Sequence, residues 1–156
     1  MLDLQQIKKG YPESLQGYER AQEKILIQLD TVAQGYTYTP EVKILNKFDV
    51  FTEIRVTPLN ILLSQKIFTA VNRKRPRGRD FYDITFLFSK TKPDFGFLNH
   101  TMGITSPEIL RQELLLKIAD FNFDALAEDV APFLITKEQV KRVSKFKEFW
   151  KQVEMV

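Results

Sequence analysis

The chain has 156 residues, 44% of them hydrophobic, and its formal net charge at pH 7 is +3. This length suits one folded domain that buries about 70% of its unfolded surface, and this composition excludes a disordered chain. The absence of cysteine excludes a disulfide framework and a thiolate metal site. The first residues lack the apolar core of a secretory signal, and no apolar run approaches the ~20 residues of a membrane span. We therefore expect a cytoplasmic protein with no membrane segment.

The N-terminal third predicts helical pieces followed by strands. Residues 2–21 indicate two short helical pieces separated by a break at a Tyr-Pro pair. Residues 24–31 predict a strand buried on both faces, and residues 42–45 predict another. From Phe48 to Val56 apolar and polar residues alternate, which predicts a half-buried strand.

A helix is predicted next, and it carries a lysine on its apolar side. Thr57 is a suitable N-cap and Pro58 suits the first helical position. The residues that recur at helical spacing after them are Leu59, Leu62, Leu63, Lys66, Ile67 and Ala70. A buried ammonium requires a carboxylate, a phosphate or a cavity. We expect Lys66 to lie against Asp80 or Asp83, at salt-bridge distance or across one water. The alternative is a lysine at the edge of the stripe whose ammonium reaches water.

A basic loop follows this helix and leads into a second helix that opens on Asp80 and Asp83. Pro76 and Gly78 exclude a helix through the loop. Its cations predict a phosphate-binding or nucleic-acid-binding patch, with a solvated loop as the alternative. They are Arg73, Lys74, Arg75, Arg77 and Arg79. The two aspartates share one helix face, and first-turn capping explains only one of them.

The remaining residues predict further helices. Ser106 and Pro107 begin one that extends to about Ala119. Residues 124–130 form a short helix that stops near a proline. Thr136 and Gln139 form a capping box for a last helix, which we expect to continue to about residue 153. The single histidine, His100, lies in a loop-like stretch and is interpreted as a surface residue.

The segments PLNILLSQK and RPRGRDFYDITFLF resemble the second half of the AbiEii-type nucleotidyltransferase toxin family. The resemblance implies a polymerase-β-like fold and a role in abortive-infection toxin–antitoxin pairs. Lys66 matches the conserved helix lysine of that family, Asp80 matches its conserved aspartate, and Asp83 is the second acid of the same segment. These three residues are therefore the candidate catalytic residues that the resemblance implies.

Two motifs of that family are missing. The sequence contains neither the Gly-Gly or Gly-Ser turn that holds triphosphate nor an Asp-x-Asp that carries metal. It resembles a family member without its nucleotide-binding middle, with the join near residues 20–23. The family implies Mg²⁺, a nucleoside triphosphate, an RNA acceptor such as tRNA or a protein acceptor, and a cognate antitoxin. Asp30, at the end of a predicted strand, resembles a third metal-binding acid, but a turn aspartate is the simpler interpretation.

These observations predict an α+β fold: a small mixed or antiparallel sheet, the remnant of a nucleotidyltransferase fold, packed on a C-terminal helical bundle. We expect a single domain over residues 1–156, with a head helix and sheet in residues 1–56 and a helical part in residues 57–156.

The predicted function is nucleotidyl transfer, impaired in this chain because the metal-binding pair is missing. One alternative is a module that binds nucleotide, RNA or antitoxin without turnover. A second is a structural remnant in which Lys66 and an aspartate form a buried salt bridge. A third is a nuclease that uses Asp30, Glu53 and Lys66.

Overall fold

A computed structural model describes residues 35–156, in which a β-hairpin precedes a set of helices. The strands are β1 (Glu41–Lys47) and β2 (Val50–Val56). The helices are α1 (Leu59–Asn72), α2 (Gly78–Phe88), α3 (Phe95–Met102), α4 (Pro107–Lys117), α5 (Phe123–Val130), α6 (Lys141–Ser144) and α7 (Phe146–Gln152). The predicted α+β class is confirmed. The elements predicted for residues 2–31 lie outside the described residues, and the assignment of a single domain stays a prediction.

The hairpin turns through two residues with left-handed backbone conformations. β1 pairs with β2 in antiparallel register, from Glu41 opposite Val56 to Lys47 opposite Val50. The two residues between them, Phe48 and Asp49, have φ of 52° and 61°. Positive φ at both central positions is the signature of a type I′ turn, whose twist matches that of paired strands. The observed strand β2 therefore begins two residues after the predicted start, because Phe48 belongs to the turn and not to the strand.

The expectation that this strand would be half-buried was wrong. Val42, Ile44 and Phe51 are well exposed, as is almost every other residue of both strands. Alternation of apolar and polar residues predicts burial of one face only when another layer covers that face. In residues 35–156 no helix packs extensively on the hairpin.

We predict that Phe48→Asn combined with Asp49→Gly stabilises the hairpin by about 1 kcal/mol, because bulky residues are strained at positive φ. Amide hydrogen exchange across β1 and β2 should slow, while exchange in α4 should stay unchanged as an internal control. Unchanged exchange in both strands would show that the turn conformation is not strained.

The start of α1 differs from the prediction by one residue. Pro58 is the N-cap and no side chain caps the helix. The Thr57 hydroxyl instead lies 3.0 Å from the hydroxyl of Tyr38. Thr57 therefore attaches the segment that precedes the hairpin to the start of the helical part.

The core lies among the helices and is rich in aromatic side chains. Phe81 of α2 meets Phe146 edge to face, with ring centroids 4.9 Å apart. Phe123 and Trp150 are nearly parallel to Phe146, at centroid distances of 5.5 and 5.7 Å. Phe146 and Trp150 are fully buried. Aromatic pairs at these distances add to the stabilisation that burial provides, and this cluster holds α2, α5 and α7 together.

The capping box of Thr136 and Gln139 is confirmed, but the last helix is not continuous. A 3-10 turn and α6 lead to a break at Lys145, where φ is −101° and ψ is 20°. The Thr85 hydroxyl lies 3.0 Å from the carbonyl oxygen of Arg142, the group that would accept from residue 146 in an unbroken helix. The same hydroxyl lies 2.7 Å from the Phe81 carbonyl oxygen of its own helix, so its single proton is shared between that oxygen and the Arg142 carbonyl.

The other predicted helix starts are confirmed. Ser106 caps α4 by accepting from the Ile109 N–H, and Pro107 begins the helix. The helix predicted over residues 124–130 is α5, capped by Asn122. No helix within residues 35–156 is both long and apolar enough to cross a membrane.

The stretch around His100 was wrongly interpreted as a loop, because it belongs to α3, although His100 is exposed as expected. The helix is capped by Asp94, which accepts from the Phe97 N–H at 2.7 Å. The same carboxylate accepts from the Asn60 amide at 3.1 Å and from the Tyr36 hydroxyl at 3.3 Å. Burial, and then the charge of Asp94, raise the pKa of Tyr36. Asp94 therefore connects α3, α1 and the segment before the hairpin.

Candidate functional site

Lys66 of α1 lies at an ion-pair cluster between α1 and α2. Its Nζ is 2.6 Å from Oδ2 of Asp83 and 3.9 Å from Oδ1 of Asp80. The predicted contact with these aspartates is confirmed. The ammonium is held by carboxylates, and the side chain as a whole is 31% exposed, so Lys66 is not enclosed in the core. A cation in that state can meet a ligand without first being uncovered.

Asp80 is the buried centre of this cluster. It is only 2% exposed, whereas the Asp83 side chain is 37% exposed. The Asp80 Oδ2 atom lies 3.4 Å from the guanidinium of Arg73. No hydrogen bond to this oxygen has acceptable geometry in the described part of the chain, so the contact with Arg73 is electrostatic. We call Lys66, Arg73, Asp80 and Asp83 the Lys66 cluster.

The arginine loop, residues 73–79, divides between two places. Arg73 turns to Asp80, whereas Arg75 and Arg77 line a separate cavity. Lys74 and Arg79 are exposed. Within residues 35–156, no carboxylate lies within 4.0 Å of any of the loop cations other than Arg73. Cations at this density with no carboxylate partner among the described residues favour an anionic ligand over an internal structural role.

The cavity, here called the α5 cleft, is open and has a volume of about 370 Å³. The loop lines one side with Arg75, Pro76 and Arg77, and α5 lines the other with Asn122, Leu126 and Asp129. Sequence reasoning missed Asn122 and Asp129 as candidate site residues. An N-cap asparagine and a helical aspartate are common surface residues, and only the packing of α2 on α5 brings them to the loop.

Gly78 makes that packing possible. A Cβ at this position would collide with the backbone carbonyl of Leu126 and come within 3.2 Å of Val130 Cβ. The Gly78 N–H donates to Asp129 at 3.3 Å. The first turn of α2 therefore rests directly on α5, which places the arginine loop beside the helix.

Mg²⁺ does not fit the carboxylates of the Lys66 cluster. Asp83 is paired with Lys66, and buried Asp80 lies between Lys66 and Arg73. A divalent ion would have to displace these cations, because Mg²⁺ requires oxygen ligands in near-octahedral geometry. Among residues 35–156 no group of three or more acidic, histidine or cysteine side chains is arranged to hold a metal ion.

The remaining sequence candidates are not assembled into a site in the described residues. Asp30, the candidate metal ligand, lies outside them. Glu53 is exposed on β2, opposite Ile44. The nuclease alternative, which requires Asp30 and Glu53 beside Lys66, therefore gains no support from residues 35–156.

Comparison with known proteins supports one family. The family described as "Nucleotidyl transferase AbiEii toxin, Type IV TA system" matches residues 6–145. No curated protein and no solved structure matches the chain. The family match spans most of the sequence and includes the Lys66 cluster, the arginine loop and α5. The chain therefore belongs to the AbiEii family of nucleotidyl transferase toxins of type IV toxin–antitoxin systems.

Proposed function

We propose that this protein binds the phosphates of a nucleoside triphosphate through Lys66 and Arg73, the two cations held at Asp80 and Asp83. The observation that carries the proposal is the state of Lys66: two carboxylates position its ammonium, and 31% of the side chain stays exposed. Arg73 lies against one carboxylate, that of Asp80, at 3.4 Å, with 32% of its side chain exposed. Two oriented, accessible cations suit the charge of a triphosphate, which is bound in proteins by ammonium and guanidinium groups.

Each residue of the Lys66 cluster has a separate role in this proposal. In nucleotidyl transfer an acceptor hydroxyl forms a bond to the α-phosphorus, the bond to the β-phosphate oxygen breaks, and pyrophosphate leaves. Lys66 would stabilise the negative charge on the phosphate oxygens. Asp83 would hold the Lys66 ammonium, and buried Asp80 would position Lys66 and Arg73. Asp80 is a positioning residue because almost none of its surface is accessible to a ligand.

We further propose that transfer by this chain is weak or absent. The sequence has no Asp-x-Asp pair, and Asp30 is the one remaining candidate for metal binding. The protein then acts in the cytoplasm as a nucleotide-binding member of a toxin–antitoxin system, and RNA and an antitoxin are its candidate partners.

A structural role for the cluster is the second candidate, and one observation favours it. Asp80 is 2% exposed and faces one cation from the middle of α1, Lys66, and one from its C-terminal end, Arg73. A buried carboxylate in this position would connect α1 and α2 even if no nucleotide were bound. Under this alternative, variants of Lys66 would change stability and leave nucleotide affinity unaltered.

The test is binding of each of the four nucleoside triphosphates to the purified full chain by calorimetry, with and without Mg²⁺. Lys66→Met keeps the apolar stem and removes the charge, and we expect it to weaken binding about tenfold or more. Lys90→Met is the matched control, because this exposed lysine lies over the Phe86 ring outside the cluster. Equal affinity for the two variants would overturn the proposal that Lys66 binds phosphate.

Transfer is measured separately with α-labelled triphosphate, Mg²⁺ and total RNA. We expect no labelled RNA or protein. Robust Mg²⁺-dependent labelling that Asp30→Ala abolishes would contradict the proposed impairment and would leave the binding proposal intact.

A further inference from the structure

The α5 cleft shares no residue with the Lys66 cluster. Its polar groups come from the middle of the arginine loop and from α5, whereas the cluster is built on α1, α2 and Arg73. Its volume of about 370 Å³ is near the lower end of the roughly 300–1,000 Å³ typical of small-molecule sites. The cleft can therefore be considered as a separate binding site.

The charge of the cleft favours an anion. Arg75 and Arg77 supply two guanidinium groups against the single carboxylate of Asp129. Within residues 35–156 neither arginine forms an ion pair with Asp129 or with any other acid. Pro76 between them limits the backbone of the loop to few conformations. Two arginines that line one cleft are suited to contacts with a phosphate, which guanidinium groups can bind in a bidentate manner.

Inorganic phosphate would contact the arginines of the loop but none of the groups that α5 contributes to the cleft. One oxygen of Asp129 accepts from the Gly78 N–H at 3.3 Å, and no other protein donor in the described residues contacts this carboxylate. The Asn122 Oδ1 already accepts from two backbone N–H groups at 3.1 Å, so only its amide N–H groups are available. The side formed by α5 thus presents one acceptor for hydroxyl groups, one donor group and the apolar surface of Ala125, an exposed residue that also lines the cleft.

We propose that the α5 cleft binds a 5′-phosphorylated ribonucleoside. The phosphate contacts Arg75 and Arg77, the ribose hydroxyls donate to Asp129, and the base lies on the apolar surface beside Pro76 and Ala125. A carboxylate that accepts from a ribose 2′-hydroxyl is a common way to recognise ribose. The ligand occupies a site different from that proposed for the triphosphate, and its binding requires no nucleotidyl transfer.

The test uses the purified full chain with AMP, 2′-deoxy-AMP and inorganic phosphate, measured by calorimetry at low salt. We expect AMP to bind at least about tenfold more tightly than either of the other two, because phosphate lacks every group that meets the α5 side and 2′-deoxy-AMP lacks the 2′-hydroxyl that donates to Asp129. Arg75→Ala combined with Arg77→Ala should lower AMP affinity about tenfold or more. Lys74→Ala is the matched control, since it removes a loop cation that does not line the cleft, and should change AMP affinity by less than about twofold.

Asp129→Asn should bring the affinities for AMP and 2′-deoxy-AMP close together. If this variant unfolds, the unmodified chain provides the test through the ratio of its affinities for AMP and for 2′-deoxy-AMP. A ratio near one overturns the proposal. Equal losses from Lys74→Ala and from the double arginine variant would also overturn it, because they would indicate a diffuse basic surface. Loss of AMP affinity in Lys66→Met but not in the double arginine variant would assign AMP to the Lys66 cluster and overturn the proposal, so failure at the cleft and failure at the Lys66 cluster are distinguishable.

A free nucleotide and the 5′ end of an RNA strand present the same phosphorylated ribose. Comparison of AMP with the trinucleotide pApApA separates these sources. Binding of pApApA that is tighter by about tenfold assigns the cleft to an RNA end, because further nucleotides add contacts. Equal affinity assigns it to the free nucleotide.

Discussion

Gly78→Ala is expected to lower the free energy of unfolding by about 3 kcal/mol, near the upper end of the cost of overpacking a core. The new methyl group would collide with the Leu126 carbonyl, which belongs to the backbone of α5 and cannot move as a side chain can. The first turn of α2 would have to withdraw from α5, and the Gly78 N–H would move away from Asp129. The two helices share aromatic packing, so the displacement would reach the core.

Urea unfolding followed by tryptophan fluorescence measures this effect, because the only tryptophan, Trp150, is fully buried in the same core. In a chain of this size the expected loss lowers the melting temperature by roughly 6–12 °C. Gly103→Ala is the control: its φ is 70° and a Cβ there meets nothing within 4 Å. That variant should cost only about 1 kcal/mol, from backbone strain alone. A Gly78→Ala variant as stable as Gly103→Ala would show that α2 does not rest on α5 as described.

Asp80→Asn is expected to cost about 2 kcal/mol of stability, somewhat less than the roughly 3–5 kcal/mol seen when a fully buried ion pair is broken. The substitution leaves Lys66 and Arg73 beside a neutral amide. Both cations keep about a third of their side-chain exposure, at 31% and 32%, so water compensates part of the loss. Asp80 also lies in the first turn of α2, where its negative charge interacts favourably with the helix dipole.

Asp83→Asn is the matched comparison, because it removes a carboxylate from the same lysine at an exposed position. Its expected cost is about 0.5 kcal/mol, the usual value for a surface ion pair. Thermal unfolding of the two variants, with nucleotide affinity measured on each, separates positioning from direct contact. Equal destabilisation by the two substitutions would contradict the assignment of Asp80 as the buried centre of the cluster.

Local sequence signals predicted several features correctly. Ser106 with Pro107, and Thr136 with Gln139, begin elements where their capping chemistry indicated, because a cap depends on residues within one turn of itself. The contact between Lys66 and the aspartates followed from one requirement: an ammonium on the inner face of a helix needs a carboxylate. The segments around Lys66 and Asp80 also indicated the family correctly, because its motifs are short runs of neighbouring residues.

Only the tertiary structure decided which of the two aspartates is buried. Both occupy one face of α2, but neighbouring residues cover Asp80 and leave Asp83 partly exposed. The same holds for the division of the arginine loop, because Arg73 finds Asp80 while Arg75 and Arg77 lie beside α5. The break at Lys145 and the exposure of the hairpin were likewise decided by tertiary contacts, or by their absence among residues 35–156, and not by the local sequence. A sequence pattern indicates the local conformational preference of each segment. Burial and the hydrogen-bond partners of carbonyl groups depend instead on residues far away in the chain, such as Thr85 beside Arg142.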